Sequence, residues 1–193
     1  MGTMIMAMQK GIQRGIFSNE SGLGSAPIAA AAAQTKESVR QGLVSMTGTF
    51  IDTIVICSMT GLSIVITGTW NTGLEGVAIT TAAFQQGLPF PPVVASFSLM
   101  LCLVFFAFTT ILGWDYYSER CLEYLSGGNL KHVKVYRWIY IFAVFIGPYM
   151  TVSAVWTIAD IFNGLMALPN MIALFALSGV VVKETKAFFK KQS

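Results

Sequence analysis

Four long apolar runs constrain this chain more than any other feature of its sequence. A transmembrane helix needs about 20 mostly apolar residues, whereas strands in globular proteins are usually about 5–6 residues long. The runs contain a single charged residue, Asp52, and cover residues 43–69, 93–114, 138–156 and 161–182. We therefore predict an all-α membrane protein with transmembrane helices at 43–69, 93–114, 136–156 and 160–182.

The scarcity of charge supports this fold class and excludes several others. Charged residues make up 11% of the chain, whereas soluble domains usually carry about 25%. Four apolar helices in a soluble protein of 193 residues would leave too little chain to shield them. The composition also excludes a disordered chain, a basic nucleic-acid-binding domain and a disulfide scaffold.

No motif in the sequence indicates an enzyme or a metal centre. GxSxG, a Walker loop and HExxH are all absent. The three cysteines form no CxxC pair, and His132 is the single histidine. We therefore expect neither a catalytic site, nor a metal site, nor a disulfide.

The few basic residues predict the orientation of the chain. Ten of the twelve lie in three segments, at 34–41, 115–137 and 183–193, while the connection at 70–92 contains none. Four spans place the three basic segments on one side of the membrane, and basic segments favour the cytoplasmic side. We therefore expect a multi-pass protein of the cell membrane, with an outer loop at 70–92 and a cytoplasmic tail at 183–193.

The first 35 residues contain a glycine-rich stretch between two short segments with helical character. This stretch, FSNESGLG, covers residues 17–24, and the helix predicted after it has Ser25 as its N-cap and Pro27 in its first turn. Two half-helices around a break are typical of a discontinuous membrane helix with a binding site at the break. A surface helix, a loop and a second helix on the inner side would fit equally well, and would place Lys10 and Arg14 on the basic side.

The composition of the stretch suggests an amino acid as the ligand of such a break. The positive end of the helix that starts near Ser25 suits a carboxylate. Freed carbonyls, Asn19 and Glu20 suit an ammonium group or a cation. A carboxylate and an ammonium group are the two charged groups of an amino-acid zwitterion. Glycine-rich breaks also serve as simple connectors between helices, which is the alternative interpretation of this stretch.

Thr109 and Thr110 form the second candidate feature. Hydroxyl oxygens are suitable ligands for a hard cation such as sodium. Threonine in a membrane helix more commonly donates back to a carbonyl of the previous turn. The residues alone favour this structural role.

Three groups of charged residues have competing interpretations. Asp52 lies within a span, where it is either functional or a protonated structural hydrogen bonder. Asp160 precedes the last apolar run, so we predict a helix N-cap rather than a ligand. The i, i+4 spacing of the third group predicts a solvated cytoplasmic helix face; its members are Asp115, Glu119, Arg120 and Glu123.

Several stretches together resemble one family. They include RGIFSNESGLGSAPIAAAAAQT at 14–35, FAFTTILGWDYYSERCLEYL at 106–125 and IADIFNGLMALPNMIALFALSGVVV at 158–182. The chain is similar in these motifs, and over essentially its whole length, to the alanine or glycine:cation symporters, also called the sodium/alanine symporters. The departures are small: Ser21 stands where the family often has alanine, and Ser118 where it often has glycine.

The resemblance implies a fold. Family members are much longer and have the leucine-transporter-type fold of the APC superfamily, with two inverted five-helix repeats. The chain would then be one transmembrane unit, 1–193, that forms the second repeat. Its broken helix would lie at 1–35 and be followed by the four transmembrane helices. This arrangement places Lys10 and Arg14 toward the outside, which the charge pattern does not predict.

The resemblance also implies a site. By analogy of fold, Trp114 would wall the substrate pocket, and residues 17–24 would be the unwound substrate segment. The implied substrate-binding residues are Phe17, Asn19, Glu20, Gly22, Gly24 and Trp114. The implied sodium ligands are Thr109 and Thr110.

The expected function is sodium-coupled symport of alanine or glycine by alternating access, as the C-terminal part of a transporter. Its partners would be the small amino acid, sodium as the coupling ion, the lipid bilayer and the missing N-terminal repeat, with no other cofactor and no nucleic acid. The alternative is a non-transporting membrane fragment, from a split or truncated gene, that needs a partner half. Coupling to protons instead of sodium stays open at this point.

Overall fold

The computed structural model describes residues 2–191, which form helices joined by turns, without a strand among them. The helices are α1 (Gly2–Ser18), α2 (Ala26–Ala30), α3 (Ser38–Thr67), α4 (Val77–Gly87), α5 (Pro92–Leu125), α6 (Leu130–Ile146) and α7 (Val152–Lys190). The predicted all-α fold is confirmed. Met1 of the predicted broken helix, and Gln192 and Ser193 of the predicted tail, lie outside the described residues.

Three of the described helices, α3, α5 and α7, are long and apolar enough to cross a membrane. Most of their large apolar side chains are exposed. The apolar side chains that the described residues bury are few: Leu23, Ala83, Ala95 and Val133. Exposed apolar surface of this extent requires an apolar environment around the helices. The chain is therefore a membrane protein.

The third predicted span, 136–156, is interrupted in the structure. α6 ends at Ile146, a single 3₁₀ turn follows at Gly147–Tyr149, and Met150 is extended. Pro148 has no N–H to donate within a helix, which favours an interruption here. α6 has 17 residues, so its length of about 26 Å is near the lower limit for a spanning helix.

The last helix, α7, is much longer than the predicted span at 160–182. Thr151 caps α7 by accepting a hydrogen bond of 3.3 Å from the N–H of Ala154. Asp160 therefore lies inside the helix, and its predicted role as N-cap is wrong. α7 also continues through most of the predicted tail to Lys190. Its 39 residues span about 58 Å, so α7 extends beyond a bilayer core of about 30 Å.

The helix α3 contains residues 43–67 of the first predicted span, 43–69, and changes its winding in the middle. Residues Ile51–Cys57 are π-helical, with Asp52 in the first turn of this segment. π-helical segments are rare and often mark functional sites. α3 ends before Gly68, whose φ of +71° is the left-handed conformation that favours glycine after a helix.

The predicted outer loop at 70–92 contains a helix, α4, which packs against the C-terminal part of α3. Gln85 of α4 also donates a hydrogen bond of 2.6 Å to the hydroxyl of Ser96 on α5. This helix has 11 residues, too few to cross a bilayer. The loop is therefore folded against its neighbouring helices.

An ion pair joins the C-terminal part of α5 to the middle of α6. Arg137 donates two hydrogen bonds to the carboxylate of Glu119, one of them 2.9 Å long from its terminal nitrogen. The residue Glu119 is only 7% exposed, so the prediction of a solvated face is wrong at this position. Arg120 and Glu123, in contrast, form a partly exposed pair on the same helix.

The described residues divide into two compact units. The first contains 2–49 and 117–191, and the second contains 50–116. The glycine-rich stretch therefore belongs to the first unit, and the Thr109–Thr110 pair to the second.

Candidate functional site

The break between α1 and α2 begins with a Schellman motif centred on Glu20. The N–H of Ser21 donates to the carbonyl of Ile16 at 3.0 Å, and the N–H of Glu20 to that of Phe17 at 3.2 Å. In this motif a glycine usually occupies the left-handed position, but here Glu20 does so, with φ of +51°. That conformation costs an ordinary residue about 1–2 kcal/mol, so other contacts must hold Glu20 in place.

The side chain of Glu20 makes those contacts. Its carboxylate accepts a hydrogen bond of 2.7 Å from the hydroxyl of Ser25 and another from the hydroxyl of Tyr117. Ser25 is only 2% exposed, so the donor of this bond is shielded from water, while the bond as a whole is partly buried. The carboxylate thus ties the start of the break to its end and to α5.

The hydrogen bond to Glu20 changes the predicted role of Ser25. Its side chain makes no capping hydrogen bond to α2, and its backbone is helical, with φ of −80° and ψ of −42°. Ser25 therefore occupies the predicted N-cap position of α2 but does not cap it with its side chain, whereas Pro27 in the first turn is confirmed. α2 has only five residues, so few aligned peptide dipoles sum at its N-terminus.

Two glycines complete the break. Gly22 has φ of +77° and Gly24 has φ of +80°, a conformation that favours glycine over any other residue. Around Gly22 the space is open, but a Cβ on Gly24 would lie 3.1 Å from the side-chain oxygen of Asn170. Leu23, between them, is buried. The break therefore lies directly against α7 at Gly24.

The last turns of α1 also pack on α7. The guanidinium of Arg14 lies 3.2 Å from a carboxylate oxygen of Asp160 and 3.6 Å from the centre of the Trp156 ring. Phe17 meets the same indole edge-on, with ring centres 5.6 Å apart. A charged pair and two aromatic rings therefore hold the helix that precedes the break.

In the second unit, Thr109 and Thr110 both donate back to their own helix. The Thr109 hydroxyl is 3.0 Å from the carbonyl of Phe106, and the Thr110 hydroxyl is 2.8 Å from the same carbonyl. Both threonines are exposed, and Trp114, one turn further along α5, is half-buried. The structural role that the residues alone favour is therefore present in the structure. A back-bonded hydroxyl still has oxygen lone pairs that a cation can use.

The predicted substrate residues of the break are contiguous and lie in the first unit. Phe17 is in the last turn of α1, Asn19 and Glu20 form the turn that follows, and Gly22 and Gly24 carry its left-handed backbone. Trp114 and the two predicted sodium ligands lie on α5 in the second unit.

The sequence model of the sodium:alanine symporter family matches residues 1–193. The chain belongs to this family. The resemblance in the sequence motifs is thereby confirmed, and the family implies a transporter rather than an enzyme.

Several curated relatives match nearly the whole chain. An uncharacterized transporter of Haemophilus influenzae is 56% identical over 190 residues, which cover 98% of this chain and 41% of that protein. The sodium/alanine symporter AgcS of Methanococcus maripaludis is 50% identical, over 94% of this chain and 40% of the symporter. The probable sodium/glutamine symporter GlnT of Bacillus subtilis is 38% identical, over 99% of this chain and 39% of that protein. No solved structure matches the chain.

The chain thus spans about two fifths of the length of these members of the sodium:alanine symporter family. The break lies near its start, and the family model covers the break together with all seven helices.

Several residues around the break escape an interpretation based on the sequence alone. Tyr117 and Asn170 contact the break from helices that are far away along the chain. One feature of the sequence does point to Asn170: it is an amide within an apolar run and directly follows Pro169. Polar residues inside a span usually face protein or a cavity.

Proposed function

We propose that this chain is the C-terminal part of a sodium-coupled symporter for alanine or glycine, and that residues 17–24 hold the substrate. The observation that carries this proposal is the interrupted helix, whose break is organised by the carboxylate of Glu20. Irregular backbone at membrane depth is tolerated only where protein or a watery cavity satisfies it. In transporters, such breaks typically form the substrate site.

The break supplies chemistry that suits a small zwitterion. A carboxylate has about four lone-pair positions, and the hydroxyls of Ser25 and Tyr117 occupy two of them in Glu20. We propose that Glu20 and Asn19 receive the substrate ammonium group. Gly22 and Gly24 allow close approach to the backbone because they lack side chains. Phe17, which Trp156 holds edge-on, and Trp114 then serve as apolar walls.

Sodium is the proposed coupling ion, with Thr109 and Thr110 as ligands. The hydroxyl hydrogens point to the carbonyls of Phe105 and Phe106, which leaves oxygen lone pairs for a hard cation. Sodium bound there would favour the conformation that binds substrate, and transport would proceed by alternating access. The names of the relatives AgcS and GlnT, which include sodium, support this choice.

The proposed topology has α3, α5, α6 and α7 as crossings of the cell membrane, with the C-terminus in the cytoplasm. The basic residues of 183–191 and the absence of Lys and Arg from 70–92 support this orientation. In a variant without the natural cysteines, we expect Glu75→Cys to react with a membrane-impermeant maleimide on intact cells. Lys186→Cys should react only after permeabilisation, and the reverse pattern would overturn the orientation.

The function is tested with a joined transporter, in which this chain replaces the matching C-terminal part of AgcS from Methanococcus maripaludis. In proteoliposomes, an inward sodium gradient should drive uptake of labelled alanine, and glycine should compete with it. Glutamine is the comparison substrate, because the name of GlnT includes it. Uptake driven equally well by a proton gradient alone, or no uptake of any of the three, would contradict the proposal.

The alternative function is a membrane fragment that transports nothing until a partner half joins it. The share of about two fifths of each relative supports it. We expect no uptake by the chain alone in liposomes, because half of a two-repeat site cannot enclose a substrate. Sodium-driven uptake by the chain alone would exclude this alternative.

A further inference from the structure

The helix α7 contacts the interrupted helix on both sides of the break. Before the break, Trp156 and Asp160 share one face of α7, since they are four residues apart. They meet Arg14 and Phe17, which are three residues apart on α1. One guanidinium thus makes an ion pair and a stacking contact with the same helix. Such double contacts favour arginine over lysine, because its planar group stacks on the ring while its N–H groups pair with the carboxylate.

After the break, the contact is with Gly24. The side chain of Asn170 lies so close that an added Cβ would be 3.1 Å from its Oδ1, 3.2 Å from its Cγ and 3.3 Å from its Cβ. Gly22 has nearly the same φ, but nothing lies within 4 Å of its Cβ position. The backbone conformation therefore requires glycine at both positions, whereas the contact with α7 requires it at Gly24 only.

The two contact points on α7 are separated by a weak point in the helix. Asp160 and Asn170 are about 15 Å apart along the helix axis. Pro169 lies between them in the sequence and inside the helix. Proline has no N–H to donate to the carbonyl of Leu165, and such positions are where helices bend.

We propose that Asp160 and Asn170 are positioning residues, which fix the two sides of the break on α7 and so set the shape of the substrate segment. A change in the break then requires either a bend of α7 near Pro169 or the release of one contact. The consequence for transport rests on the proposed function. The positioning itself does not, because it concerns contacts within the chain.

The first test measures the contacts by thermal unfolding of the chain in detergent micelles. Gly22→Ala and Gly24→Ala should both lower Tm. The loss in Gly24→Ala should be larger by about 3 °C, because a change of about 1 kcal/mol in unfolding free energy shifts the Tm of a chain of this size by about 2–4 °C. Asn170→Ala removes two of the three close atoms. It should therefore recover part of the loss in Gly24→Ala and none in Gly22→Ala.

The same measurement applies to the first contact point. Arg14→Ala and Asp160→Ala should each lower Tm, and the double variant should lose clearly less than the sum of the two. Arg14→Lys should fall between wild type and Arg14→Ala, since lysine keeps the charge but loses the stacking on Trp156. Additive losses in this cycle, together with equal effects at Gly22 and Gly24, would overturn the proposed contacts.

The second test asks what the contacts do, with the joined transporter in proteoliposomes. Asn170→Ala should raise the KM for alanine by about threefold or more. On this scale, a tenfold change in KM would correspond to about 1.4 kcal/mol of binding free energy. Vmax per folded transporter should change less. An unchanged KM with less folded transporter would mean a purely structural contact and would overturn the positioning role. If wild type transports nothing while the unfolding cycles behave as expected, the proposed function fails and the contacts stand.

Discussion

The hydroxyl of Ser25 donates a hydrogen bond of 2.7 Å to the carboxylate of Glu20. Ser25, at the end of the break, thereby fixes the side chain of Glu20, which lies near its beginning. Glu20 in turn has the left-handed backbone that closes α1. The bond therefore couples the end of one helix to the start of the next, and it explains how a glutamate occupies a position that usually carries glycine.

Loss of this bond should destabilise the chain measurably. A hydrogen bond to a charged group contributes about 1.5–3 kcal/mol, and Ser25 is buried. We expect Ser25→Ala to lower the free energy of unfolding in detergent micelles by about 2 kcal/mol. The control is Ser21→Ala, because Ser21 is exposed and such changes usually stay within about 0.5 kcal/mol. Equal effects of the two substitutions would contradict the assigned role.

The left-handed backbone of Glu20 predicts an unusual order of two variants. Glu20→Ala and Glu20→Gly both remove the carboxylate, but only glycine relieves the backbone conformation. We expect Glu20→Gly to be the more stable of the two, by about 1 kcal/mol. At Gln13, inside α1, the order should be reversed, because glycine costs about 1 kcal/mol relative to alanine within a helix. The same order at both positions would contradict the left-handed conformation of Glu20.

The sequence predicts the long helices well because their signal is local. α3, α5 and α7 each include most or all of an apolar run that contains almost no charge, although α5 and α7 extend well beyond their runs. The glycine-rich break is also local, since its left-handed residues include two glycines. In contrast, α4 was missed because a helix of 11 residues is too short to produce the pattern of a span.

Residues whose partners are distant in the sequence were harder to interpret. Asp160 resembled an N-cap because it precedes an apolar run, but its partner Arg14 lies 146 positions away. The interruption near Pro148 falls inside an apolar run, where hydropathy gives no signal. Nor does any simple pattern predict the π-helical winding around Asp52. These features arise from tertiary contacts and local geometry, which composition does not encode.

The ion pair between Glu119 and Arg137 should contribute more to stability than its neighbour on the surface. Arg137→Ala would leave a buried carboxylate with fewer donors, which should cost about 2 kcal/mol in free energy of unfolding. Arg120→Ala is the matched control, since Arg120 pairs with Glu123 at 2.7 Å on the same helix and is 45% exposed. A pair of that kind contributes about 0.5 kcal/mol. Equal losses in chemical unfolding would show that burial of Glu119 has no energetic consequence.

Sodium coupling should depend on the hydroxyls of Thr109 and Thr110. Thr109→Val and Thr110→Val preserve the shape of the side chain but remove the oxygen that a cation would bind. We expect each to raise the sodium concentration for half-maximal alanine uptake by the joined transporter about tenfold, which corresponds to about 1.4 kcal/mol. Uptake at saturating sodium should fall less.

The matched control for this prediction is Thr60→Val. Thr60 is half-buried and donates back to the carbonyl of Ile56 at 3.0 Å, so it shares the local bonding of Thr109 and Thr110 without belonging to the proposed sodium site. Its substitution should leave the sodium dependence unchanged, because a lost back-bond alters local helix geometry only slightly. If all three valine variants shift the sodium dependence alike, or if none does, the two threonines on α5 are structural and the sodium ligands lie elsewhere.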